Sequence, residues 1–141
     1  LNILDSNSIC YCFGGGEDIS FDCSLIQKYG CKVYTFDPTP RSIHHIEELF
    51  MKTKKGLKMH IINDENILDE DRNEENYTIN EDEINLLHHF KYGVWSQDTK
   101  LKFNFPRKEE KVSCSVTNIQ KTKNYFGIYK SFFCSFFSCA T

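Results

Sequence analysis

The chain has 141 residues, 17 basic and 20 acidic, for a formal net charge of -3, and is 40% hydrophobic, 14% aromatic and 26% charged. That is one domain's length with enough apolar side chain for a core, which excludes wholesale disorder. With no dense Lys/Arg face, nucleic acid is excluded as a first partner, because phosphate neutralisation needs clustered cations.

The opening Leu1-Asn2-Ile3-Leu4-Asp5 carries no basic-then-apolar leader and no initiator Met, so a piece of a longer protein is expected. Residues Ile9 to Phe13 form an apolar run that stops at Gly14-Gly15-Gly16, which predicts a short buried strand and a tight glycine turn. A helix is expected over Glu17 to Tyr29, with Ile19, Cys23 and Ile26 at helical spacing, Glu17 and Asp18 in the first turn, and Gly30 just past the end. Lys32 to Phe36 is β-branched and aromatic and predicts a second strand, ended by Asp37-Pro38-Thr39-Pro40. Thr39 suits a cap and Pro40 the first position of a second helix, whose stripe is Ile43, Ile46, Leu49 and Phe50 and which stops before Gly56. Strand, turn, helix, strand, turn, helix in about 50 residues implies a parallel βαβ crossover. Leu57 to Ile62 is the expected third strand.

Ten of the twenty acidic residues fall between Asn63 and Glu83, against one basic residue, Arg72. This insertion, at about 63–85, is expected to be a solvated loop, since it lacks the spacing that wraps calcium. Leu86 to Trp95 and the alternating Leu101, Phe103 and Phe105 suggest two strands joined by a turn. The Phe- and Cys-rich tail is shorter than the roughly 20 residues of a bilayer span and is interrupted by Lys130, so no membrane span is expected. Seven cysteines, none in a C-x-x-C pair, read as buried reduced thiols, which points to a reducing compartment, and no metal is expected from them or from His44-His45 and His88-His89.

The constellation that carries chemistry is the turn Gly14-Gly15-Gly16-Glu17-Asp18 with Asp37 about twenty residues on. Glycines let the backbone approach a ligand, a helix N-terminus offers amides, and an acid ending the second strand can accept from ribose hydroxyls, so a nucleoside-type cofactor site is expected. A dinucleotide site wants a third glycine where Ile19 stands, and Glu17 and Asp18 would repel a pyrophosphate. S-adenosylmethionine, with a cationic sulfonium and ammonium and no phosphate, fits that charge better. Asp22, one turn after Asp18, is placed either toward the crevice or in solvent.

The blocks Phe13-Gly14-Gly15-Gly16-Glu17-Asp18-Ile19-Ser20-Phe21-Asp22, Tyr29-Gly30-Cys31-Lys32-Val33 and Phe36-Asp37-Pro38-Thr39-Pro40 resemble the FkbM-type methyltransferase domain, including the methyltransferase-like proteins of animals. Tyr92-Gly93-Val94-Trp95, Leu101-Lys102-Phe103 and Val112 to Asn118 resemble its later blocks, so the likeness runs from about Ser8 to Phe126. The resemblance implies an α/β, Rossmann-like class I methyltransferase fold, present as the N-terminal part of a doubly wound sheet, and a small-molecule methyl donor, S-adenosylmethionine, used for O-methyl transfer to an unidentified acceptor. Gly14, Gly16, Glu17 and Asp18 would shape the methionine side of the crevice and Asp37 would hold the ribose.

Three departures from the family pattern stand out. Gly15 replaces a larger apolar residue, which should loosen the turn, and Cys114 stands at an expected histidine. No Asp-Ile-Glu-Gly strand follows Phe126, so residues 1–126 read as a partial methyltransferase domain and 127–141 as an atypical tail. The rivals are a catalytically inactive fragment or binding module that retains part of the half-fold, and an NAD-dependent oxidoreductase, which Glu17, Asp18 and the missing third glycine disfavour.

Overall fold

The computed structural model describes residues 3–61 and 76–104, and the backbone of 124–131. The chain runs β1 (Ile9–Phe13), α1 (Ser20–Tyr29), β2 (Lys32–Phe36), α2 (Pro40–Lys54), α3 (Glu81–Ile84), β3 (Leu87–Phe90), β4 (Gly93–Trp95), β5 (Thr99–Asn104) and β6 (Asn124–Ser131). It is a mixed α/β structure with a parallel sheet ordered β1-β2-β3 and a second sheet ordered β4-β6-β5. In the parallel sheet Phe13 stands beside Phe36 and Phe36 beside Phe90, so all three strands end at one edge.

Period-two alternation decides which side of this sheet is covered. Cys10 and Cys12 face a core made of Ile19 just before α1, Cys23 and Ile26 of α1, Val33 of β2, Ile46 and Leu49 of α2, Ile84 and Leu87. On the opposite side the rings of Tyr11, Tyr34 and His88 meet edge to face, and Phe13, Phe36 and Phe90 stack at centroid distances of 5.4 and 4.7 Å. Such cross-strand ring pairs fix register as well as add stability.

β1 and β2 lie where the sequence puts them, but β1 is not the buried strand expected, since it stands at the end of the strand order with Ile9, Tyr11 and Phe13 exposed; α2 starts at Pro40 and stops before Gly56 as expected. α1 begins at Ser20 and not at Glu17, because Asp18 folds back and its Oδ1 accepts the Ser20 N–H at 2.8 Å, which holds Glu17 and Asp18 in the turn. Gly30, in the left-handed region at φ 64°, closes the helix with its N–H on the Ile26 carbonyl.

The third parallel strand is Leu87–Phe90 and not Leu57 to Ile62, where the described residues make only a bridge between His60 and Asn76. Both runs are short and apolar, which periodicity alone cannot rank. Only the later one offers Leu87 to the core beside Val33 and Phe90 to the Phe36 ring.

Two further expectations are corrected. Part of the acidic stretch is helical: Asn80 accepts from the Asp82 and Glu83 amides while Glu83 Oε2 accepts the Asn80 N–H, a reciprocal cap that places three carboxylates at the favourable end of α3. The expected two-strand turn unit is three strands: β3 joins the first sheet, and β4 and β5 each pair with β6, in parallel and antiparallel sense. Residues 62–75, including Arg72, and 105–123, including Cys114, lie outside the described residues, as do Cys134 and Cys139 of the tail. Among the described residues no helix is long and apolar enough to cross a membrane.

Candidate functional site

The expected site residues meet at the carboxyl edge of β1 and β2. Gly14 leaves β1 at φ 89° and donates its N–H to the Phe36 carbonyl at 2.9 Å, and Gly16 sits at φ 56°. Both positions lie where L side chains are strained, so glycine is required by the backbone itself. Gly15 is required for a different reason. A Cβ there would stand 2.9 Å from Ser42 Oγ, 3.2 Å from Ile46 and 3.3 Å from Ile19. Gly15 therefore tightens the turn against α2, and the expected loosening is corrected.

Asp37 is the clamp of this turn. Its Oδ2 accepts the N–H groups of Gly15 and Gly16 at 2.8 and 3.0 Å, and its Oδ1 accepts the Thr39 N–H and hydroxyl at 2.8 and 2.6 Å. A carboxylate has about four lone-pair sites, and all are filled here from within the chain, on a residue only 5% exposed. The Thr39 hydroxyl thus serves Asp37 and does not cap α2.

Glu17 is ion-paired with Arg41 at the start of α2, and Asp18 is an exposed residue that caps the Ser20 amide. Asp18 therefore stands on the solvent side of the turn, Glu17 is mostly covered beside Arg41, and Asp37 is buried beneath the turn. Gly15 and Gly16 amides point at Asp37 and the Ile19 amide at the Tyr77 hydroxyl, 3.0 Å away, so the donors without an acceptor among the described residues are those of Glu17 and Asp18. Ile19 fills the place of a third nucleotide-binding glycine and is fully buried in the α1 contact with the core.

Asp22 faces neither crevice nor solvent. It is buried against β2, where its Oδ1 accepts the Thr35 hydroxyl. Burial raises its carboxyl above the ordinary value, opposed by that hydrogen bond and one from Cys12, whose own thiol is pushed up to about 12 by burial and by the Asp22 charge.

Each histidine pair divides between two environments. His44 is exposed while His45 is buried and lies 2.9 Å from the Tyr77 hydroxyl. His88 is exposed on the aromatic side and His89 is half-buried within 3.2 Å of the Asp37 carbonyl. Burial lowers the basicity of His45 and His89, and partial desolvation with the Lys32 charge lowers that of the exposed His88. Among the described residues no group of three or more His, Cys, Asp or Glu is arranged to hold a metal.

Sequence reasoning did not single out Ser42 or Tyr77. Ser42 was detectable, since positions 42, 45, 46 and 49 form one face of α2 with Ile46 and Leu49. Tyr77 had no local signal, because its role depends on a contact 58 residues away in sequence. No family model matches the chain, and no curated protein or solved structure matches it.

Proposed function

We propose that this chain carries the cofactor half of an S-adenosylmethionine-dependent methyltransferase, of the FkbM type that its motifs resemble, acting by O-methyl transfer, in an incomplete Rossmann-like, doubly wound fold. The observation that carries the reading is the state of the turn: the Gly15 and Gly16 amides consumed by Asp37, an exposed Asp18 at the helix end, and Glu17 ion-paired with Arg41 beside it. A pyrophosphate needs free turn amides and a positive helix end, and here Asp37 takes the Gly15 and Gly16 amides and the exposed Asp18 carboxylate stands at the helix end, the Glu17 charge being balanced by Arg41. A cationic ligand without phosphate meets favourable charge in the same place.

Bound there, S-adenosylmethionine would supply a methyl group already activated on its sulfonium, so that alignment with the acceptor accounts for much of the rate. Gly14 and Gly16 bring the backbone close, Glu17 and Asp18 face the ligand's cationic groups, and the Glu17 and Asp18 amides remain for its carboxylate. Asp37 Oδ1 would take a ribose hydroxyl in place of the Thr39 hydroxyl, which is the one rotatable donor among its four partners.

Calorimetric titration of the folded chain with S-adenosylhomocysteine and, separately, NADH tests this. Binding of S-adenosylhomocysteine with a Kd on the order of micromolar, with none for NADH, is the expected result. NADH binding at the same site, or a folded chain that binds neither, overturns it, the second outcome favouring an inactive fragment or binding module.

A further inference from the structure

A buried relay ties the start of α1 to α2 through a residue that precedes α3. Ile19 is fully buried, and its N–H, at the junction between the glycine turn and α1, needs an acceptor out of reach of water. The Tyr77 hydroxyl is that acceptor at 3.0 Å, and His45 Nε2 lies 2.9 Å from the same oxygen. Both rings are buried, His45 at 2% exposure, and His45 Nδ1 has no partner.

The proton inventory fixes the direction of the second bond. With the Tyr77 oxygen accepting from Ile19, its O–H can donate to a neutral His45 Nε2, which leaves a single orphan, Nδ1–H. The opposite tautomer leaves two, the Tyr77 proton and the bare Nδ1. Tyr77 therefore donates to His45 and accepts from Ile19, and this chain exists only while His45 is neutral.

We propose that Tyr77 and His45 are positioning residues for the cofactor turn: the Tyr77 hydroxyl pins Ile19 at one end of the turn as Asp37 pins Gly15 and Gly16 at the other, and the pair sets the aim of the intervening Glu17 and Asp18. The inference rests on the methyltransferase reading for the identity of the ligand and on geometry alone for the pinning. It carries a pH dependence. A charged His45 must donate from Nε2, which turns the Tyr77 proton away to a place with no acceptor. The groups that bear on His45 are Glu17 and Asp18 from the turn, Glu48 and His44 from α2, and Tyr77 itself; the three carboxylates favour its charging and burial opposes it.

Three variants, Tyr77→Phe, His45→Leu and His45→Gln, are compared with the parent by amide hydrogen exchange and by S-adenosylhomocysteine titration between pH 5 and 8. Tyr77→Phe and His45→Leu should speed exchange at Ile19 and weaken binding about tenfold each, the loss of one buried hydrogen bond. Gln places an amide where Nε2 stands, so His45→Gln should restore both and remove the acid weakening that the parent shows.

Unchanged Ile19 exchange in Tyr77→Phe overturns the inference, and so does a His45→Gln variant no better than His45→Leu. Should the parent protect Ile19 through Tyr77 yet fail to bind S-adenosylhomocysteine, the methyltransferase reading falls and the pinning stands. Should it bind equally with and without the hydroxyl, the positioning role falls and the methyltransferase reading stands.

Discussion

Asp37 is a residue whose type and position were legible and whose task was not. An acid about twenty residues past a glycine turn reads as a ligand contact, whereas four protein donors converge on it here. No local pattern reveals that saturation, because its donors come from two loops. Replacing it tests the clamp. Asp37→Ala orphans the Gly15, Gly16 and Thr39 amides and should cost about 2–4 kcal/mol in urea unfolding. Asp37→Asn should cost about 1–3 kcal/mol, since its NH2 must face one of two donor pairs whichever way it turns. An Asn variant as stable as the parent would remove the clamp from the account. Gly15 makes a companion case at the same scale. Gly15→Ala drives a Cβ into Ser42 Oγ and should lose about 1–3 kcal/mol by overpacking. Ser42→Ala removes a buried hydroxyl with no partner and should be neutral or stabilising on its own. Combined, the two should lose less than their separate effects sum to, because the nearest obstructing atom is gone, although Ile46 and Ile19 remain close. Strict additivity in the unfolding midpoints would show that the obstruction lies elsewhere.

At the scale of elements, α1 buries a carboxyl, Asp22, and α2 an imidazole, His45, and the two act in opposite senses. His45 on α2 is less basic than an ordinary imidazole, chiefly because burial penalises the cation. The unfolded chain then takes up a proton near pH 6.5 that the folded chain refuses, so His45 makes stability fall as pH drops from about 6.5 toward its lower folded value. Asp22 on α1 is shifted the other way, above the ordinary aspartate value, with burial again the largest cause. The folded chain holds that proton longer, so Asp22 favours folding at low pH and loses that advantage as pH rises through its folded value. Asp22→Asn should therefore raise the thermal midpoint at pH 7, by an amount equivalent to about 1 kcal/mol, with little gain at pH 4 where more of the native carboxyl is protonated. A loss at pH 7 would mean that the Thr35 and Cys12 hydrogen bonds outweigh the cost of the buried charge. His45→Gln should flatten the limb between pH 5 and 6.5 without touching the Asp22 effect, which thermal scans across that range would separate.

For the whole molecule, what was legible follows the range of the interactions that decide it. β1, β2 and the limits of α2 rest on nearest-neighbour chemistry, such as a glycine stop, a β-branched run and Pro40 at a helix start, and the sequence displays these directly. The third parallel strand, the place of β6 between β4 and β5, and the Tyr77 contact rest on partners tens of residues away, and for them two apolar runs look alike. Long-range closure of this kind also implies that the parallel layer should open as a unit. Cys23 lies on α1 and Cys31 at the entrance to β2, and both are buried in one cluster with Ile46, Leu49 and Leu87. Cys23 is held to about 12 by burial and by Asp22, and burial raises Cys31 as well, so neither offers a thiolate at pH 8 in the folded state. Alkylation of both should then be slow and equal, and both rates should rise together with urea along the global unfolding curve, as mass spectrometry of the labelled peptides would show. Faster labelling of Cys23 alone would mean that α1 detaches from a standing sheet. The glycine turn would then be loose at its helical end in the native protein, and a pin at Ile19 would have little left to position.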